Sequence, residues 1–264
     1  MATDAPGRPG HARRLARNTA FFSFATGLSR LLGLAREVVA AKYFGVTGAM
    51  SAFTIAFQVP NLVRALFADS ALQAAFVPVF SELLEKGERK EAFRVASSLF
   101  FLICLILGAV TALFILLADP VMSLFAPGFD DQPALHDLTV NLSRLMFPIV
   151  LLLALSGLVV GMLNSFEHFA VPALAPAAWN LVIIAALVGL VPVLPDGDEI
   201  YAYAIGILAG TLLQFLLPLP WLRGRGGALT IQIDWRDERV RRVLKLMLPV
   251  TLALGLINLS LLIN

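Results

Sequence analysis

The sequence predicts an all-α integral membrane protein with its N-terminus in the cytoplasm. Three observations carry that prediction. Apolar residues make up 59% of the 264 positions and charged residues only 14%, with mean hydropathy +0.84; soluble domains carry roughly 25% charged residues. The apolar residues fall into runs close to the ~20 needed to cross a hydrocarbon core of about 30 Å. Basic residues collect in alternate connections between those runs.

Residues 1–17 read as a basic cytoplasmic tail carrying Arg8, Arg13, Arg14 and Arg17. The tail is not the start of a cleaved signal peptide, because Arg30 and Arg36 interrupt the apolar run behind it. Its arginines flank the first span as topology signals, or touch anionic headgroups. The first two spans cover roughly 18–44 and 48–80 and carry arginines. Val95–Ala118, Leu145–Phe166, Phe169–Pro195 and Ile200–Leu222 carry no charge. Leu246–Asn264 is a seventh uncharged stretch. Pro60, Pro78, Pro148, Pro172, Pro176 and Pro249 lie in or beside these runs and predict bends, which membrane helices tolerate when neighbours satisfy the freed carbonyls.

Connection charges set the orientation. Lys86, Arg89, Lys90 and Arg94 follow the second span, and Arg223, Arg225, Arg236, Arg239, Arg241, Arg242 and Lys245 follow the sixth. The stretch from Asp119 to Asp137 has four Asp and no Lys or Arg, and Pro195 to Ile200 is purely acidic. Only Lys42, in the first outer connection, runs against this positive-inside pattern. Six spans return the chain to its starting side, so residues 18–235 are expected to form one six-helix lobe. Residues 236–264 are expected to begin a second lobe of the same orientation, a parallel repeat about the membrane normal. Leu246–Asn264 ends without a polar flank, which predicts a longer parent chain.

The residues that need explaining are Arg30, Arg36 and Arg64. A charge near the bilayer centre costs about 2.5–3.5 kcal/mol on insertion scales, so it normally faces a water-filled cavity or a partner. With Thr19 at the inner edge, Arg30 lies about 16 Å and Arg36 about 25 Å along the first helix. Arg64 is expected about 6 Å from the inner edge of the second span. Arg30 and Arg36 stand about 120° apart on an ideal helix, unless Gly27 or Gly33 allows a bend. Ser29 shares the face of Arg36. Ser51, Thr54, Gln58 and Asn61 follow steps of three, four and three and line one face of the second span, with Arg64 near that stripe. Guanidinium groups offer paired donors to phosphate or carboxylate. Together these residues predict a cavity for an anionic headgroup.

Blander roles remain open for single members. Arg36 and Arg64 lie close enough to helix ends to snorkel; Arg30 does not. Arg144 reads as an interface anchor, Glu167 and His168 as loop residues, and Asp69 as a partner of Arg64 or a helix cap. Trp179, Trp221 and Trp235 read as interface or packing residues. Net charge is only +2, which implies no nucleic-acid partner. A single cysteine, Cys104, excludes an intramolecular disulfide. No phosphate-binding glycine loop, Walker sequence or two-His metal spacing occurs, and His11, His136 and His168 are scattered. The sequence therefore points away from an enzyme and implies no cofactor.

Several ordered motifs resemble the MurJ/MviN lipid II flippases. They begin with Ser29-Arg30-Leu31-Leu32-Gly33-Leu34-Ala35-Arg36-Glu37 and Tyr43-Phe44-Gly45. Ala52 to Arg64 follows, ending Gln58-Val59-Pro60-Asn61-Leu62-Val63-Arg64, with Ala74-Ala75-Phe76-Val77-Pro78 downstream. Ala126-Pro127-Gly128-Phe129, Gly161-Met162-Leu163-Asn164, Phe169, Pro172-Ala173, Ala175-Pro176 and Asn180 complete the match from about Asn18 onward.

The resemblance implies the N-terminal six-helix lobe of an exporter-superfamily transporter plus part of a seventh helix. The implied function is flipping of lipid II, an undecaprenyl-pyrophosphate-linked peptidoglycan precursor, across a bacterial plasma membrane by alternating access. Arg30, Arg36 and Arg64, with Ser29, Asn61, Gln58 and Ser51 beside them, are then the expected substrate-binding residues. Expected partners are lipid II, membrane lipids and cell-wall synthesis proteins. Two departures qualify the match. Ser51 stands where many relatives carry an acid, and a further family arginine falls beyond Asn264, so these 264 residues alone are not expected to transport. Competing expectations are export of another polyprenyl-linked oligosaccharide or a drug, and a non-transporting membrane scaffold for cell-wall enzymes.

Overall fold

The computed structural model describes residues 9–67, 69–129 and 131–249, with side chains at 20–63, 72–129 and 131–249. Among the described residues every long element is a helix: α1 Pro9–Phe44, α2 Gly48–Phe67, α3 Asp69–Glu85, α4 Arg89–Phe125, α5 Pro133–Met146, α6 Ile149–Ser165, α7 Ala170–Leu190 and α8 Ile200–Leu216. A further helix, α9, occupies residues 238–249 and runs to the end of the described part.

The four uncharged runs correspond to four helical stretches long and apolar enough to cross a membrane: Arg89–Phe125, Pro133–Ser165, Ala170–Leu190 and Ile200–Leu222. α4 overshoots its apolar run at both ends. Its first turn contains Glu91, a carboxylate placed where the helix N-terminus favours negative charge. The stretch Pro133–Ser165 is two helices, α5 and α6, broken at Phe147–Pro148, and the uncharged run Leu145–Phe166 is carried mainly by α6; proline supplies no N–H to continue the ladder.

The second run, expected as one span over 48–80, is also carried by two helices, α2 and α3. α2 packs beside α5, and α3 beside α6 and α4. This changes the expected depth of Arg64. Its backbone lies in the last turn of α2, and α3 carries the chain on to Glu82, which pairs with Arg242 at the basic rim. Arg64 is therefore midway along the α2–α3 path rather than near its inner end. Its side chain lies outside the described residues.

Two clusters organise the interior. Toward the basic rim, Phe76, Phe80, Phe93 and Phe166 pack ring to ring, with centroids 5.1 Å apart for Phe76–Phe80 and 5.8 Å for Phe80–Phe166. Val240 and Val243 of α9 join this cluster fully buried. The buried face of α9 thus packs on residues of α3, α4 and α6. The connection leading to α9 is tied down as well. Ser97 Oγ accepts the Thr230 N–H at 3.0 Å, Ser98 Oγ accepts the Asp234 N–H at 3.3 Å, and Asp237 caps α9 by accepting the Arg239 N–H at 2.7 Å.

The second cluster stacks Phe53 on Tyr203 at 4.4 Å between α2 and α8, beside Phe44. Here α7 and α8 approach closely because Gly206 lacks a side chain. A Cβ at Gly206 would lie 2.9 Å from Ala186 Cβ and 3.2 Å from Ile183 Cα. Small residues at crossing points let membrane helices pack backbone to backbone. The close pair forms one wall of the site described next.

Candidate substrate-binding cavity

A cavity of about 410 Å³ opens between α1, α2, α6, α7 and α8. Arg36 from α1, Asn61 from α2, Trp179 from α7, and Thr211 and Gln214 from α8 give it polar and aromatic lining; Phe57, Ile149, Leu153 and Ile207 complete the wall. The mix of one cation, amides and a hydroxyl in an apolar wall matches what orients a polar headgroup.

Among the described residues Arg36 is the only cation in the lining. Its side chain is 18% exposed. Helical side chains lean toward the N-terminus of their own helix, so the Arg36 head reaches back to Trp179. Its Cζ sits 4.9 Å from the Trp179 ring centroid, within cation–π range. Trp179 is the tenth of the 21 residues of α7. The guanidinium therefore turns inward to mid-helix depth rather than outward to the interface. One amino group pairs with the adjacent Glu37, and Nε is buried with no hydrogen-bond partner among the described residues.

The α1–α7 contact below this point is held by Asn180. Its Nδ2 donates to the Ser29 carbonyl at 3.3 Å and the Pro176 carbonyl at 3.1 Å, and its side chain lies against Gly33. Ser29 thus contributes its backbone to helix packing one to two turns from Arg36. Among the described residues no three His, Cys, Asp or Glu side chains gather as a metal site.

A family model described as lipid II flippase MurJ matches residues 40–264. The chain belongs to the MurJ lipid II flippase family. Curated MurJ relatives include the lipid II flippase MurJ of Burkholderia cenocepacia, 34% identical over 90% of this chain and 47% of its own length. The probable lipid II flippase MurJ of Haemophilus influenzae is 33% identical over 90% of this chain and 48% of its own. The chain thus spans about half the length of the MurJ relatives it matches.

A solved lipid II flippase MurJ in an inward closed conformation matches with TM-score 0.70 at 29% identity, over 88% of this chain and 47% of that one. An outward-facing multidrug resistance transporter of the MATE family matches with TM-score 0.64 at 16% identity, over 89% and 52%; that likeness concerns the fold alone. The fold is therefore an all-α membrane transporter fold, and this MurJ-family chain is a multi-pass membrane protein.

Within the MurJ-family chain, the cavity gathers Arg36 and Asn61 of the seven expected binding residues. Arg30, Gln58 and Ser51 are exposed on α1 and α2, away from the buried Ala52, Phe53, Ala56 and Val59. The Ser51 hydroxyl donates to the Thr47 carbonyl at 3.2 Å. Trp179, Thr211 and Gln214 were not among the expected residues. Thr211 and Gln214 carried a usable signal: two polar residues three apart in an uncharged span share a helix face. Trp179, expected as an interface or packing residue, packs against the second cluster and also turns its ring to Arg36.

Proposed function

We propose that this chain is the N-terminal lobe of a lipid II flippase of the bacterial plasma membrane and that its cavity grips the pyrophosphate-linked headgroup. The observation that carries the reading is Arg36. A guanidinium turned into a cavity at mid-helix depth, held by a ring face that uses none of its N–H donors, supports an anion site. Asn61, Thr211 and Gln214 supply neutral polar groups suited to sugar or peptide. Arg30, Gln58 and Ser51, exposed on α1 and α2, line a larger central path in the full-length protein, to which the family resemblance adds Arg64. Alternating access then moves the headgroup past a ladder of cations while the prenyl tail stays in lipid. Lipid II and membrane lipids are the partners this requires, and cell-wall synthesis proteins are candidate neighbours.

The test is rescue of cells depleted of their lipid II flippase by the full-length gene. Arg36→Ala, Arg30→Ala and Arg64→Ala should each insert normally yet fail to rescue. Full rescue by all three would remove the cavity mechanism and favour a scaffold role. Binding of lipid II compared with another polyprenyl-pyrophosphate glycan separates lipid II flipping from export of a different lipid-linked sugar.

A further inference from the structure

Trp179 enters the reading above only as a wall of the cavity, yet its position is built from three directions. Its indole N–H donates to Thr211 Oγ at 3.1 Å, and the Thr211 hydroxyl donates to the Ile207 carbonyl at 2.8 Å. Gly210 makes room for it: a Cβ there would lie 3.0 Å from both Trp179 Cδ1 and the Trp179 carbonyl oxygen. The fixed ring then presents a face to the Arg36 guanidinium at 4.9 Å. Arg36 itself has few other restraints, since Glu37 is exposed and Nε is without a partner among the described residues.

We propose that Trp179, anchored by Thr211, is the positioning residue for Arg36. The proposal rests on the cavity being a pyrophosphate site. A ring face restrains a guanidinium without consuming its N–H donors, whereas a second carboxylate would occupy the donors that oxyanions need. Indole offers the strongest face of the aromatic side chains. The Thr211 hydrogen bond sets the rotation of that face, so two helices, α7 and α8, together aim a cation carried by a third.

The experiment uses the full-length protein in lipid nanodiscs, titrated with undecaprenyl pyrophosphate. Arg36→Ala should weaken binding about 30-fold, the loss of charge-assisted hydrogen bonds. Trp179→Leu should weaken it about 10-fold, and Trp179→Phe, which keeps an aromatic face, by no more than about 3-fold. In the Arg36→Ala background Trp179→Leu should add less than about 2-fold, because a residue that acts through another loses its effect when that other is gone.

Thr211→Val should cost about 3-fold in the presence of Trp179 and nothing in the Trp179→Phe background, where no indole N–H needs a partner. That pair of variants keeps the proposal testable if Trp179→Leu fails to fold. Undiminished binding by Arg36→Ala overturns the reading of the cavity. A weakened Arg36→Ala beside an unaffected Trp179→Leu overturns the positioning role alone. An equal cost of Trp179→Leu with and without Arg36 overturns it too, since that is the signature of a merely structural residue.

Discussion

Two groups of arginines in this chain live under opposite conditions. At the basic rim, Arg239 bridges Glu88 at 3.4 Å and Glu91 at 3.1 Å, and Arg242 meets Glu82 at 3.0 Å. All five side chains are at least 38% exposed. In the cavity, Arg36 is 18% exposed and has its exposed neighbour Glu37, an aromatic face and an Nε without a partner among the described residues. The rim is rich in partners and gains little from each, because water and salt screen exposed pairs. The cavity is poor in partners, and a charge there is costly unless a ligand completes its shell. Pairing at the rim secures a connection; incomplete pairing in the cavity leaves capacity for an anion.

The largest expected difference between the regions is in function. In the full-length protein, Arg36→Ala should abolish rescue of flippase-depleted cells, whereas Arg242→Ala should leave it intact at matched membrane levels. Equal loss from both would break the comparison, because the rim would then be as much a part of transport as the cavity.

A second effect is expected from the wall behind Arg36. Gly206→Leu would force side-chain atoms into Ala186 and the Ile183 backbone. Overpacking of this kind typically costs about 1–3 kcal/mol. Thermal unfolding of the purified full-length protein should show that loss, and pyrophosphate binding should weaken with it, since α7 and α8 carry Trp179 and Thr211. Unfolding unchanged from the wild type would mean that the α7–α8 contact yields without strain.

These regions also differ in how legible they were in sequence. The four uncharged spans could be read from hydropathy because each is apolar over its whole length, and length against bilayer thickness is a strong constraint. The division of 48–80 into α2 and α3 was not legible, since Pro60 and Pro78 both lie inside helices rather than between them. Arg36 and Asn61 could be picked out because polar residues in apolar runs are anomalies of one chain segment. Their convergence with Trp179, Thr211 and Gln214 could not, because it depends on how α1 and α2 cross helices more than a hundred residues later. Position along the helix axis also says little about where the Arg36 charge sits: the Cα lies near the C-terminal end of α1, but the long side chain leans back to the middle of α7.

A smaller effect is expected at the rim. Arg239→Ala should lower stability by only about 0.2–1 kcal/mol, and the loss should shrink as salt rises. Unfolding midpoints of the two proteins in low and high salt measure it. A loss above that range, insensitive to salt, would mean that the α9 docking depends on this ion pair rather than on buried Val240 and Val243.

The smallest effects are on pH dependence, and they come from groups outside the spans. Hydrogen bonds and charge from Lys86, then from Arg242, hold the Glu82 carboxyl below its ordinary value near 4.5. Its contribution is therefore complete above that value and is lost as pH falls through the depressed one. Burial, and then the Arg225 charge, lower His168 below its ordinary 6.5 in the turn between α6 and α7. In the unfolded chain His168 takes up its proton first as pH falls, so stability declines below about 6.5 and levels off once the folded imidazole is also protonated. A stability profile from pH 8 down to about pH 2 should then show two separate declines. His168→Gln should remove the upper one alone, and Glu82→Gln the lower one alone. If His168→Gln left the upper decline in place, the decline would belong to another group, and the turn would have no part in how the protein responds to acid.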